Sequence, residues 1–152
     1  MIEQRDPDLN RLLAQLEAHG RRVTPQRAAV CEALLAHKGH PTVTEIWQSV
    51  HAAHPSISQA TVYNTITVLE ELRLVQKLEI AGDEHTHYDV GGEPHVNAVC
   101  TNCGMITDVY TDTLEALLGL VANRSGYQLM PGSGVIVYGS CAQCRRASAR
   151  PK

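Results

Sequence analysis

The stretch from His85 to Asp108 reads HTHYDVGGEPHVNAVCTNCGMITD. It opens with an alternating run, His85 to Val90, breaks at Gly91-Gly92-Glu93-Pro94, and resumes as a second run that ends in a Cys-x-x-Cys. Alternation at a period of two is the mark of a strand, and the Gly-Gly-Glu-Pro break is the best linker in the chain. One domain therefore ends and another begins inside this stretch, giving residues 1–90, a hinge at 91–94 and residues 95–152.

Working back from the stretch, Leu74 to Ile80 reads as a partner strand to His85–Val90 around the turn Ala81-Gly82-Asp83-Glu84. The pair forms a β-hairpin wing. Helical patterns precede it. Leu9, Leu12, Leu13 and Leu16 repeat at helical spacing, with Gly20 placed to end the helix. Thr24-Pro25 is an N-cap followed by proline at the first helical position, opening a helix with Ala28, Cys31, Leu34 and Leu35 on one face. Cys31 lies in that apolar stripe and reads as a small buried hydrophobe rather than a reactive thiol. Thr42 and Glu45 are spaced as a capping box before a helix with Val43, Ile46, Trp47 and Val50 inward. Ser58 caps a fourth helix, with Val62, Ile66, Leu69 and Leu72 inward. Its outer face carries Gln59, Tyr63, Asn64 and Thr67, side chains with hydrogen-bonding tips that suit a DNA-reading surface. Four helices and a wing make a winged helix-turn-helix over about residues 9–90.

Working forward, strands near His95–Cys100 and Met105–Tyr110 lead to a helix bearing Leu114, Leu117, Leu118 and Val121. Further strands are expected at Tyr127–Met130 and Val135–Gly139, and the basic tail after Cys144 reads as frayed. This is a small α/β domain, and the fold class of the whole is α+β.

Composition narrows the function. The 152 residues carry a net charge of -3 and are 43% hydrophobic. No apolar run approaches the length of a membrane span. The polar opening MIEQRDPDLN lacks a signal-peptide core, so a cytoplasmic location is the expectation. The overall acidity argues against a basic nucleic-acid binder. Yet Leu9–Lys38 holds Arg11, Arg21, Arg22, Arg27 and Lys38 against Glu17 and Glu32, and a local basic patch can meet phosphates.

Two constellations carry chemistry. The pairs Cys100/Cys103 and Cys141/Cys144 supply four thiolates, which complete the tetrahedron of a structural Zn²⁺ with no open position. Independent thiol pairs or a redox couple would be the other use of these cysteines. The second constellation is made of harder donors. His85, His87 and Asp89 alternate onto one strand face, His95 and Asn97 onto another, and Asp108 follows on the next strand. Imidazole with carboxylate oxygens suits Fe²⁺, Mn²⁺ or Zn²⁺. The alternative is a set of solvated polar residues on a sheet edge.

Taken in order, Arg21-Arg22-Val23-Thr24-Pro25-Gln26-Arg27, His40-Pro41-Thr42, Ala60-Thr61-Val62-Tyr63-Asn64 and the two cysteine pairs resemble the ferric uptake regulator family, from about Leu9 to Cys144. The resemblance implies a homodimeric metalloregulator with a winged-helix head and an α/β dimerisation domain. The resemblance also implies a regulator rather than an enzyme, with a double-stranded, palindromic operator as its partner. It implies a regulatory ion held by His40, Asp89, His95 and Asp108. The second histidine of the family's H-x-H is Asn97 here, which can ligate through its carbonyl oxygen, and His85 or His87 could supply a further nitrogen or a further site. It also implies DNA contacts by Arg22, Ser58, Thr61 and Tyr63, with Gln59 and Asn64 beside them.

Aspartate at both carboxylate positions, with Tyr63-Asn64, is similar to the peroxide-responsive repressor branch. There bound Fe²⁺, unlike Mn²⁺, leads to oxidation of a ligand histidine, and His40 and His95 match the oxidised positions. Three other readings stand beside this one: a sensor of iron, manganese or zinc availability, a small metalloenzyme that activates water, and a zinc-stapled interaction module.

Overall fold

The computed structural model describes residues 7–90, 93–130 and 134–149. The chain divides into two units, Met1–Gly91 and Gly92–Lys152. The expected hinge glycines, Gly91 and Gly92, lie outside the described residues, as do Pro131, Gly132 and Ser133.

In the first unit the helices begin where their caps dictate. After α1 (Pro7–Ala18), the Thr24 hydroxyl accepts from the Arg27 amide at 3.1 Å and starts α2 (Pro25–Ala36). Thr42 and Glu45 close a reciprocal capping box at the head of α3 (Val43–Ala53), with bonds of 3.3 and 2.7 Å. Ser58 accepts from the Thr61 amide at 3.2 Å and starts α4 (Gln59–Glu71). Each cap satisfies an amide that the first helical turn leaves orphaned. The inward faces meet in one core of Leu16, Val30, Cys31, Ile46, Val62, Ile66 and Leu69, all essentially inaccessible. Full burial of each such side chain is worth about 1.5–3 kcal/mol. Val30 is fully buried, whereas Ala28 and Leu35, expected inward, only flank the core.

The wing is a two-stranded antiparallel pair, β1 (Gln76–Glu79) and β2 (Thr86–Asp89), in the register Leu78 to His87. The β2 strand is also tied to the α2–α3 loop. Thr42 bridges to His87, the Tyr88 amide donates to the Pro41 carbonyl at 2.9 Å, and His87 Nδ1 donates to the His40 carbonyl at 2.8 Å. These bonds bring His40 beside the end of the wing.

The second unit is a three-stranded sheet in the order β4-β3-β5. Its central strand β3 (Val96–Cys100) pairs antiparallel with β4 (Ile106–Val109) and parallel with β5 (Val135–Gly139). Helix α5 (Thr113–Ser125) supplies the crossover that a parallel pair requires. It ends at Gly126, whose φ of 73° is the left-handed cap conformation.

Two expectations are corrected here. Residues 127–130 form no strand, and it is β5 that completes the sheet beside β3. The tail after Cys144 is not frayed at its start. Helix α6 (Ala142–Ser148) runs through it, capped by Cys141 Sγ, which accepts from the Cys144 amide at 3.4 Å.

Candidate metal centres

All four paired cysteines come together in the second unit. Cys100 ends β3, Cys103 lies in the β3–β4 turn, and Cys141 and Cys144 stand at the start of α6. Every sulfur lies within 4.8 Å of the others, and Cys103 Sγ is 3.9 Å from Cys141 Sγ. Four sulfurs on one zinc, each bonded at roughly 2.3 Å, would be spaced at about 3.8 Å. The donor set therefore fits the ion, with the Cys103–Cys141 pair already at the required spacing.

The electrostatics agree with that use. Cys100 Sγ accepts from the Cys141 amide at 3.3 Å. That amide, with those of Cys103 and Asn102, pulls the Cys100 thiol down to about 6. Cys144 is pushed up to about 12 by its hydrogen bonds to Cys141 and Cys103 and by the Cys100 charge. Cys100 is thus poised as a thiolate, and Cys144 needs a cation beside it to ionise.

The harder donors fall in two places. In the first unit His40 is buried, and its Nε2 lies 3.9 Å from Asp89 Oδ2 at the end of β2. In the second unit His95 precedes β3, Asn97 sits in it, and Asp108 faces Asn97 directly across the ladder. His95 Nε2 is 3.7 Å from Asp108 Oδ1. Both nitrogen–oxygen separations are too long for a hydrogen bond. They are close to the roughly 3–3.5 Å that separates two ligands sharing an ion at about 2.1 Å.

Asn97 adds a further sign. It is 5% exposed, and its Oδ1 is buried with no hydrogen-bond partner among the described residues. An unsatisfied buried acceptor costs about 1–3 kcal/mol, so a cation at this point would relieve a defect. The residues fit a divalent ion.

His85 and His87 take another role. His87 Nε2 reaches Asp83 Oδ2 at 2.8 Å, and His85 Nδ1 reaches Asp83 Oδ1 at 3.2 Å. Partial burial works against a charged His87 ring, but Asp83 and the His40 carbonyl outweigh it and raise its pKa. The His85 amide and both rings hold Asp83 down to about 2. Asp83 had no motif around it, so its part in closing the wing turn emerges only from the fold.

The nucleic-acid candidates lie on the first unit. Tyr63 is 56% exposed, and Asn64, Gln59 and Arg22 are exposed as well. Tyr63, Asn64 and Gln59 line a groove with His85 and Thr86 of the wing. Gln59 Nε2 donates to Thr44 Oγ1 at 3.3 Å, which links α4 to α3. The Ser58 hydroxyl caps α4 and lies 3.0 Å from Thr61 Oγ1. Arg27 Nη1 donates to the Arg22 carbonyl at 2.6 Å and so holds the loop that presents Arg22. From sequence Arg27 stands out only as a cation of the basic patch and part of a motif, and Thr44 not at all, because a bond to a backbone carbonyl or to a residue fifteen positions away leaves no local pattern.

Comparison with known proteins follows this geometry. The model of the ferric uptake regulator family matches residues 18–132. The peroxide operon regulator of Bacillus subtilis is 34% identical over 139 residues, covering 91% of this chain and 94% of that protein. The peroxide-responsive repressor of Staphylococcus epidermidis is 31% identical over 144 residues, covering 95% of each. Among solved structures, the Campylobacter jejuni peroxide stress regulator aligns with a TM-score of 0.69 at 33% identity, over 88% of this chain and 98% of that one. The Helicobacter pylori ferric uptake regulator shares the fold, with a TM-score of 0.72 at 22% identity over 90% of this chain and 91% of that one.

Proposed function

The chain belongs to the ferric uptake regulator family, and from that premise we propose that it is a metal-dependent, homodimeric, DNA-binding repressor that responds to peroxide. A regulatory ion would be held by His40 and Asp89 of the first unit and by His95, Asn97 and Asp108 of the second. What carries this reading is a ligand set without thiolate, with aspartate at both carboxylate positions, in a chain more than 30% identical to peroxide-responsive regulators. A bound ferrous ion supplies the electrons that reduce hydrogen peroxide.

The rest falls to the chain's own residues. His40 and His95 are the imidazoles beside the ion and hence the side chains exposed to oxidation there. Asp89 and Asp108 supply charge that favours a divalent cation. Each ion held by ligands of both units favours one arrangement of the heads, and a homodimer can then set two α4 helices on successive half-sites. Tyr63, Asn64 and Gln59 face the bases, while Arg22, Ser58 and Thr61 lie near the backbone. The Cys100, Cys103, Cys141 and Cys144 zinc is structural. We read the protein as a regulator rather than an enzyme, because the family and relatives it matches are transcriptional regulators. An operator-binding repressor works in the cytoplasm. No helix among the described residues is long and apolar enough to cross a membrane.

A second reading, a sensor of manganese or iron availability without peroxide chemistry, is favoured by Asn97, which removes one oxidisable imidazole. Operator binding by Fe²⁺-loaded and Mn²⁺-loaded protein, before and after peroxide, separates the two. Loss of binding only with Fe²⁺ supports peroxide sensing. Retention with both supports the availability sensor, and equal affinity with and without metal contradicts both.

A further inference from the structure

Asn97 lies in the middle strand of the second unit's sheet, which is hydrogen-bonded on both sides. The backbone amides around it are committed to the ladders and offer its side chain nothing. His95 stands two residues before it, on the same face, and Asp108 is its direct cross-strand partner. Its amide oxygen is buried and without a donor among the described residues. A packing role would be served better by an apolar side chain, as at Val99 in the same strand. A buried amide oxygen beside an imidazole and a carboxylate is suited instead to a cation.

The space around it is tailored. A Cβ built on Gly134 would sit 2.7 Å from the His95 carbonyl oxygen and 3.7 Å from Asn97 Nδ2. The first distance is a clash and the second an ordinary contact, so glycine lets the chain entering β5 pass this close to the His95 backbone with Asn97 packed alongside.

We propose that Asn97 sets the metal preference of the regulatory site, its Oδ1 ligating the ion so that Mn²⁺ and Fe²⁺ are accepted in preference to Zn²⁺. The proposal rests on the regulatory-metal reading above. On raw affinity most nitrogen-rich sites bind Zn²⁺ more tightly than Mn²⁺ or Fe²⁺, so a site for the latter must weaken zinc selectively. A neutral amide oxygen in place of an imidazole nitrogen does so. In the second unit it leaves one nitrogen donor, from His95, against two oxygens, from Asn97 and Asp108. Carbonyl and carboxylate oxygens suit manganese, whereas imidazole favours zinc.

The test uses full-length protein with its structural zinc in place. Affinities of the second site for Mn²⁺ and Zn²⁺ are measured by competition with a chromophoric chelator, for the wild type, Asn97→His and Asn97→Ala. Retained structural zinc confirms that each variant is folded. Asn97→His is expected to shift the Zn²⁺/Mn²⁺ affinity ratio toward zinc by about tenfold or more, and Asn97→Ala to weaken Mn²⁺ by about tenfold, the scale of an altered ligand shell. An unchanged ratio in Asn97→His, or wild-type Mn²⁺ affinity in Asn97→Ala, overturns the role of Asn97 while leaving the regulatory site standing. Absence of any second ion in the wild type itself overturns the regulatory-metal reading, and this proposal with it.

Discussion

The two units are stabilised by different means. The first packs residues from all four helices, with Val75 and Tyr88, around one apolar core, and its one large exposed hydrophobic among the described residues is Tyr63. The second buries only Val99, Cys100 and Leu114 of its described apolar residues. It leaves Leu117, Leu120 and Val121 of α5, Val137 and Tyr138 of β5, and others open to solvent. A sheet of three short strands with so little core needs a staple and a cover. Zinc on the four clustered cysteines would supply the first, and a second copy of the chain on this face would supply the second. On the proposed function the first unit should stand on its own core, while the second should depend on zinc and on assembly.

Removing zinc should break this contrast most visibly. Structural zinc contributes on the order of 10 kcal/mol or more to small domains. A strong chelator should therefore unfold the second unit and dissociate the dimer while the helical signal of the first persists in circular dichroism. Loss of both units together would contradict their independence. Next in size is a core truncation. Ile46→Ala should cost roughly 2–5 kcal/mol in the first unit by denaturant titration, with zinc content unchanged. Charging the open face of the second unit, as in Leu117→Glu with Val121→Glu, should give monomers in sedimentation with the zinc still bound. A smaller effect is expected at a cap: Thr42→Ala should lower first-unit stability by about 1 kcal/mol.

Thiol chemistry sharpens the same comparison. Burial pushes the Cys31 thiol up to about 12, so it is neutral at physiological pH and has no access to reagents. Alkylation of folded protein should spare Cys31 before and after chelation, whereas the four zinc cysteines should react only once the ion is gone. Modification of Cys31 alongside them would show that the first unit had opened too.

Legibility in the sequence followed the range of the interactions. Thr24-Pro25, the Thr42–Glu45 box and Ser58 announce helix starts because capping is decided within three residues. The cysteine pairs announce a zinc because each pair is local and only four thiolates close the shell. Apolar spacing in α5 was equally plain, but periodicity cannot say what covers a face, and Leu117 and Val121 proved exposed. The parallel pairing of β3 with β5, which leaves residues 127–130 outside the sheet, depends on partners about forty residues apart. The orphaned oxygen of Asn97 likewise becomes visible only once the chain is folded.

The central claim is that His40 and His95 report peroxide through a bound ferrous ion. Its most direct test is mass spectrometry of the peptides holding these residues after peroxide treatment of Fe²⁺-loaded and Mn²⁺-loaded protein, scored beside operator binding. A gain of one oxygen atom on His40 or His95 is expected with Fe²⁺ alone, in step with release of DNA. Release without oxidation of either histidine, or oxidation that leaves operator binding intact, would contradict it.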